Sequence, residues 1–161
     1  MTTITENIRI ERALEKELED ILAVQKSAFT KEAERHHNYE IPGLNQTREE
    51  LSNEFINSLV LSAKLNGIIV GSVRSSCKEG VCTISKLVVH PEYHNRGIGR
   101  KLLQSIEAES VMATSGVNKF ILFTAKYSFD NIGLYESEGY EKSGFEFVAN
   151  GMSLISLEKR I

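Results

Sequence analysis

The sequence predicts an α/β protein of the α+β type, with a central mixed, mostly antiparallel sheet flanked by helices. Three observations carry this. Apolar β-type runs are joined by Asn66-Gly67 and Asn150-Gly151, dipeptides that supply the positive φ angles of tight hairpins. Other stretches place apolar residues at helical spacing. One of these stretches is followed by Lys119–Ala125, a short apolar run typical of a buried strand, which makes a strand, helix, strand unit. A chain of 161 residues, 41% hydrophobic, can bury its own core without staples, and residues 1–161 are expected to form one domain.

Taken in order, Asn7 to Arg12 alternates around Ile8 and Ile10 as a strand does. Leu14, Leu18, Ile21, Leu22 and Ala28 then recur at helical spacing. An irregular stretch runs from Lys31 through Ile41-Pro42-Gly43 to Thr47. Thr47 followed by Glu50 reads as a capping box, each side chain satisfying an orphan backbone donor, and opens a helix over Arg48 to about Asn57. Strands are expected at Leu59–Leu65, Ile68–Ser75 and Cys82–His90, a helix at Gly97–Met112, and a short helix at Ile132–Glu138 ended by Gly139. Phe145–Ala149 and Met152–Leu157 close the sheet.

Composition removes several function classes. A net charge of −3 and a pI near 5.9 lack the basic footprint of a nucleic-acid binder. Met1 to Arg12 has no apolar run, so no leader or membrane span is expected there, and the protein is expected to be cytoplasmic. Cys77 and Cys82 flank a turn at Lys78-Glu79-Gly80 and could meet across a hairpin, but two cysteines are no disulfide framework, and they read as reduced packing residues. His90 and His94 are separated by Pro91 in a non-helical turn, unlike a helical pair of zinc ligands, so no metal is expected. The absence of a Gly-x-Ser-x-Gly elbow or a nucleophilic-cysteine signature argues against a covalent acyl-enzyme.

The most informative stretch is Ile84 to Leu103, ISKLVVHPEYHNRGIGRKLL, where a strand stops at a proline and a glycine-containing loop opens into an amphipathic helix. The first-turn N–H groups of a helix lack intrahelical partners and lie at its positive dipole end, so they can hold phosphate oxygens. Gly97 and Gly99 let the backbone approach such a ligand, and Arg96, Arg100 and Lys101 add charge of a kind that is ordinarily just solvated. A P-loop is excluded because no Gly-Lys-Ser/Thr ending follows, and a dinucleotide fingerprint because Leu102 stands at its third glycine.

This stretch resembles the GNAT (general control non-repressible-related) N-acetyltransferases, in which an L-x-V-x-P strand end precedes Q/R-x-x-G-x-G/A. Here the two read Leu87-Val88-Val89-His90-Pro91 and His94-Asn95-Arg96-Gly97-Ile98-Gly99. A second family segment, N-I-x-L-Y-x-x-x-G-Y/F, is matched by Asn131 to Tyr140. The resemblance in element order covers nearly the whole chain, whereas the specific matches cover only these two segments. His94 departs from the usual Gln or Arg and puts a side chain that titrates near neutrality at that place.

The resemblance implies a GNAT-like fold that binds acetyl-CoA as cosubstrate and transfers acetyl to an unidentified primary amine by direct attack in a ternary complex. It also implies that Leu87, Val88 and Val89 offer backbone groups to the pantetheine arm and thioester carbonyl. His94, Asn95, Arg96, Gly97, Ile98, Gly99 and Arg100 would hold the pyrophosphate, and Asn131 the cofactor arm. Tyr135 would protonate the departing thiolate. Without the motif, Tyr135 would read as a half-buried core residue. Homodimers are common in the family, which keeps a homodimer open here; no nucleic-acid or membrane partner is implied.

An alkyl ammonium must lose a proton before it can attack, so a base or water chain is required. Ser85 and Lys86 stand near where the family often has a carboxylate, which leaves the base unassigned. Lys31 to Thr47, which corresponds to an acceptor-site wall in the family, offers Glu32, Glu34, His36, His37, Tyr39 and Glu40 as candidates; His36, His37, Glu32 and Glu34 read more simply as solvated residues at a helix end. The rival to an enzyme is a non-catalytic acyl-CoA-binding or sensor domain that keeps the cradle without an effective base.

Overall fold

The computed structural model describes residues 7–41 and 43–161. The leader and span reading of the first residues and the boundary at Pro42 therefore fall wholly or partly outside the described residues. Among the described residues seven strands form one sheet: β1 (Ile8–Arg12), β2 (Leu59–Leu65), β3 (Ile68–Lys78), β4 (Val81–Val89), β5 (Lys119–Ala125), β6 (Glu141–Ala149) and β7 (Met152–Arg160). Their order is β1-β2-β3-β4-β5-β7-β6, and only the β4–β5 pair is parallel. The helices are α1 (Leu18–His36), α2 (Arg48–Asn57), α3 (Ile98–Ala113) and α4 (Phe129–Ser137).

Local chemistry explains the turns. Asn66-Gly67, Glu79-Gly80 and Asn150-Gly151 all carry paired positive φ values, the mirror-image geometry that matches the twist of the hairpin strands they join. The Thr47 hydroxyl accepts from the Glu50 N–H at 3.2 Å while the Glu50 carboxylate accepts from the Thr47 N–H at 3.0 Å, so α2 starts with the expected capping box.

Each face of the sheet carries its own apolar cluster. Under α3, Ile98, Leu102, Leu103 and Ile106 pack on Leu61, Val73, Ile84, Phe120 and Leu122. Gly71 permits this approach, since a Cβ there would meet the Val88 carbonyl oxygen at 2.9 Å and the Leu102 side chain at 3.0 Å. On the opposite face, Leu18, Ile21 and Val24 of α1 and Leu51 of α2 cover Val60, Ile69 and Val88.

Two expectations are corrected. Lys31 to His36 is not irregular but the last part of α1, which His37 ends at φ 51 with its N–H directed at the Ala33 and Glu34 carbonyls. Apolar spacing fades after Phe29, but Lys, Glu, Ala and Arg are strong helix formers and continue the helix. Cys77 and Cys82 are not reduced. The two-residue turn puts them directly opposite each other, and they form a disulfide with Cα atoms 4.0 Å apart.

Candidate functional site

The site begins where the sheet stops being continuous. β4 and β5 pair only through Val81↔Lys119, Cys82↔Phe120 and Thr83↔Ile121, and beyond Thr83 they diverge. The gap opens into a cavity of about 690 Å³ bordered by the β4 residues from Ile84 to Val89, the start of α3, α4 and the end of α1.

At one end stands the α3 N-terminus. Gly97 caps it at φ 76, where a Cβ would be strained, and the first intrahelical bond runs from the Lys101 N–H to the Gly97 carbonyl at 3.1 Å. The N–H groups of Ile98, Gly99 and Arg100 therefore lack intrahelical partners, and all three residues line the cavity with His94, Asn95 and Gly97. The side chains around them are more committed than the sequence suggests. His94 Nε2 lies 3.0 Å from the Val89 carbonyl, which can only accept, so Nε2 carries the proton and neutral His94 has no second N–H to donate. The Arg96 guanidinium sits over the ring of Tyr93, itself a wall residue, at 5.1 Å. Arg100 donates to Ser137 Oγ at 2.9 Å and pairs with Glu138, tying α3 to α4; that contact, together with Gln104, holds the Glu138 carboxyl below its ordinary range against the opposing effect of burial.

Midway lies a bulge in β4. Ser72 faces Val88 and Arg74 faces Ser85, so Val73 alone opposes Lys86 and Leu87. Lys86 adopts φ 52, a left-handed conformation that costs a residue with a Cβ roughly 1–2 kcal/mol.

α4 brings Asn131 and Tyr135 to the wall. Tyr135 is 7% exposed and packs edge-on against Tyr140, while its hydroxyl has no hydrogen-bond partner among the described residues. Burial, with the Glu32 charge, pushes its phenol up to about 12, so it is protonated at neutral pH.

Of the candidate bases on Lys31 to Thr47, the structure brings Glu32 to the cavity, while among the described residues Glu34, His37, Tyr39 and Glu40 are exposed and off its wall. One Glu32 oxygen accepts from Ser128 Oγ at 2.8 Å and lies 2.9 Å from His36 Nε2; the other lies 3.8 Å from Arg35. His36 also lines a smaller neighbouring cavity of about 200 Å³ with Lys126 and Tyr127. Sequence reasoning missed Ser128. It stands at the N-cap of α4, but its hydroxyl is turned to Glu32 and makes no cap bond. It also missed the buried Arg74, which donates to Gln25, Gln46 and Glu54 beneath α1 and α2. Among the described residues no cluster of His, Cys, Asp or Glu could hold a metal, and no helix is long and apolar enough to cross a membrane.

The family model described as "Acetyltransferase (GNAT) domain" matches residues 25–161. The chain is 29% identical over 135 residues to the UPF0157 protein YqkA of Bacillus subtilis strain 168; the match takes in 84% of this chain but 38% of that protein's length. Among solved structures it is similar to the PaiA N-acetyltransferase from Thermoplasma acidophilum in complex with coenzyme A, with TM-score 0.77, 19% identity and coverage of 96% and 99% of the two chains. It is also similar to the ribosomal-protein-S18-alanine N-acetyltransferase from Escherichia coli, with TM-score 0.75, 19% identity and coverage of 96% and 94%. The YncA protein from Salmonella typhimurium, solved with its cofactor acetyl-CoA, gives TM-score 0.72 at 17% identity, with coverage of 96% and 94%.

Proposed function

This chain belongs to the GNAT acetyltransferase family, and on that premise we propose that it moves an acetyl group from acetyl-CoA to a primary amine by direct attack in a ternary complex. The observation that carries this reading is the cavity between β4 and β5, on which the α3 N-terminus, the β4 backbone, Tyr135 and Glu32 converge.

The residue roles follow from chemistry. The free first-turn N–H groups of α3, within the loop from His94 to Arg100, are suited to the pyrophosphate, and Asn131 to the arm. His94 adds a donor there only as imidazolium. Successive N–H groups along a strand point to opposite edges, so the stretch Leu87 to Val89 has at least one facing the open side of β4. Such a donor stabilises the oxyanion as the amine nitrogen bonds to the acetyl carbon. Glu32 takes the proton that the amine loses, and His36, on the same carboxylate oxygen, passes it toward the smaller cavity. As the carbon–sulfur bond breaks, the Tyr135 hydroxyl gives its proton to sulfur.

One observation favours an acyl-CoA sensor without turnover: Glu32 is already held by Ser128 and His36, as a structural carboxylate would be. Thiol release from acetyl-CoA across a panel of amines separates the two readings. Amine-dependent release that falls roughly 100-fold or more in Glu32→Gln supports the enzyme and its base. Tight acetyl-CoA binding with no release for any amine supports the sensor. We also place the protein in the cytoplasm.

A further inference from the structure

The bulge in β4 reverses which side chains face which layer. Before it, Cys82 and Ile84 belong to the cluster under α3; after it, Leu87 and Val89 pack there instead and Val88 joins the cluster under α1. The extra residue thus shifts the alternation by one and aims Lys86, like Val88, at the α1 side. Lys86 is half-buried and lines the cavity. Among the described residues it makes no hydrogen bond or ion pair, and the charges it feels are those of Glu54 and Arg74. Glu54 is already bonded to the guanidinium of Arg74. Two cations therefore share one carboxylate, which leaves a positive charge in the wall without its counterpart. Burial holds the Lys86 ammonium below the ordinary lysine range; Glu54 opposes the shift and Arg74 adds to it.

The surroundings narrow what supplies the counterpart. On this side of the cavity Lys31 and Arg35 add further positive charge, Arg35 lying 3.8 Å from Glu32, and the wall's other carboxylate, Asp130, stands in the first turn of α4. Phe29, Phe123, Met152 and Leu154 make much of the remaining surface apolar. A polyamine would meet like charges here, and a plain alkylamine would leave Lys86 uncompensated. From this arrangement, and resting on the transferase reading above, we propose that the acceptor is an amino-acid-like amine with an apolar body and a carboxylate, the carboxylate being held by Lys86 while the amine faces Glu32.

Matched acceptors test this: leucine against 3-methylbutylamine and phenylalanine against 2-phenylethylamine, assayed by thiol release and, in the presence of CoA, by calorimetry. The carboxylate member of each pair should be preferred by roughly 10- to 100-fold in kcat/KM, the worth of a charge-assisted bond in a partly buried site. Lys86→Met should erase that preference by raising KM for the amino acid, with acetyl-CoA affinity retained, and Lys86→Arg should restore much of it. Equal or better use of the plain amines by the wild type, a preference that survives in Lys86→Met, or a loss of kcat for both members alike would overturn the proposal. Failure of acetyl-CoA itself to bind would count against the transferase reading. Acetyl-CoA binding with no amino-acid preference, in rate or in calorimetry, counts against this one.

Discussion

The two halves of the cavity are built from different materials. The half around α3 relies on backbone: unpartnered N–H groups, Gly97 at φ 76, and a strand edge left open by the divergence of β4 from β5. The half beneath α1 relies on side chains: Glu32 with Ser128 and His36, and Lys86 turned inward by a bulge, with Arg74 among Gln25, Gln46 and Glu54 packed behind the wall. A backbone cradle suits a ligand that stays the same, because it tolerates substitution in the surrounding side chains. A wall of side chains suits the partner that varies, because one exchange alters what it accepts.

The sharpest way to break this contrast is at Tyr135, which α4 brings to the cavity wall. Tyr135→Phe keeps the ring and deletes the acid, so turnover should fall roughly 10²- to 10⁴-fold, about 3–5 kcal/mol of barrier, while calorimetry finds acetyl-CoA affinity intact. Because burial pushes the phenol up to about 12, its acid form is retained as pH rises, and the wild-type rate should lose nothing to Tyr135 ionisation below that range. Near-normal single-turnover transfer by a folded Tyr135→Phe would remove the acid role and leave a packing residue.

A smaller loss is expected at the cradle. Gly97→Glu strains a left-handed position and brings a carboxylate to the helix N-terminus, where it competes for the same N–H groups. The Kd for CoA should rise roughly tenfold or more, the equivalent of ~1.4 kcal/mol. His94→Gln should do much less, since the neutral ring is committed to the Val89 carbonyl. If the order of the two effects is reversed, the donor half depends on side chains after all.

The division of labour also decides what could be read in the sequence. The cradle is contiguous: His94 to Gly99 is one loop, and glycines placed ahead of an amphipathic helix carry a physical meaning in the sequence alone. The half beneath α1 is assembled across the chain. Glu32 and Ser128 lie 96 residues apart, and Arg74 reaches Gln25 from 49 residues away. No local spacing announces such pairs. The end of α1 escaped notice because Lys31 to His36 buries little but Ala33, which leaves propensity and no periodicity as the signal. The disulfide escaped because it depends on register. The turn of two residues, Glu79-Gly80, sets Cys77 opposite Cys82, whereas a three-residue turn at Lys78-Glu79-Gly80 would pair Cys77 with Val81.

The smallest effect should come from the acceptor half's frame. Thr47→Ala removes one side of the box that starts α2, the helix carrying Glu54, and should cost about 1 kcal/mol of stability in thermal or denaturant melts. Acetyl-CoA affinity should not move. If it does, the two halves are mechanically coupled through the sheet, and the contrast between them is too simple.

The short β4–β5 pairing has one more consequence. A sheet ordinarily has two edges, and these are where foreign strands add and aggregation begins. By parting after Thr83, β4 and β5 create two further edges in the interior of the sheet, facing each other across the cavity, with α1 on one side and α3 on the other. An incoming strand would need partners at normal spacing and room for side chains on both faces, and the helices occupy that room. A thin, unbranched chain carrying amide groups meets neither obstacle. The same unpaired backbone that would be a hazard on the outside of the molecule becomes, when placed in its middle, selective by width alone.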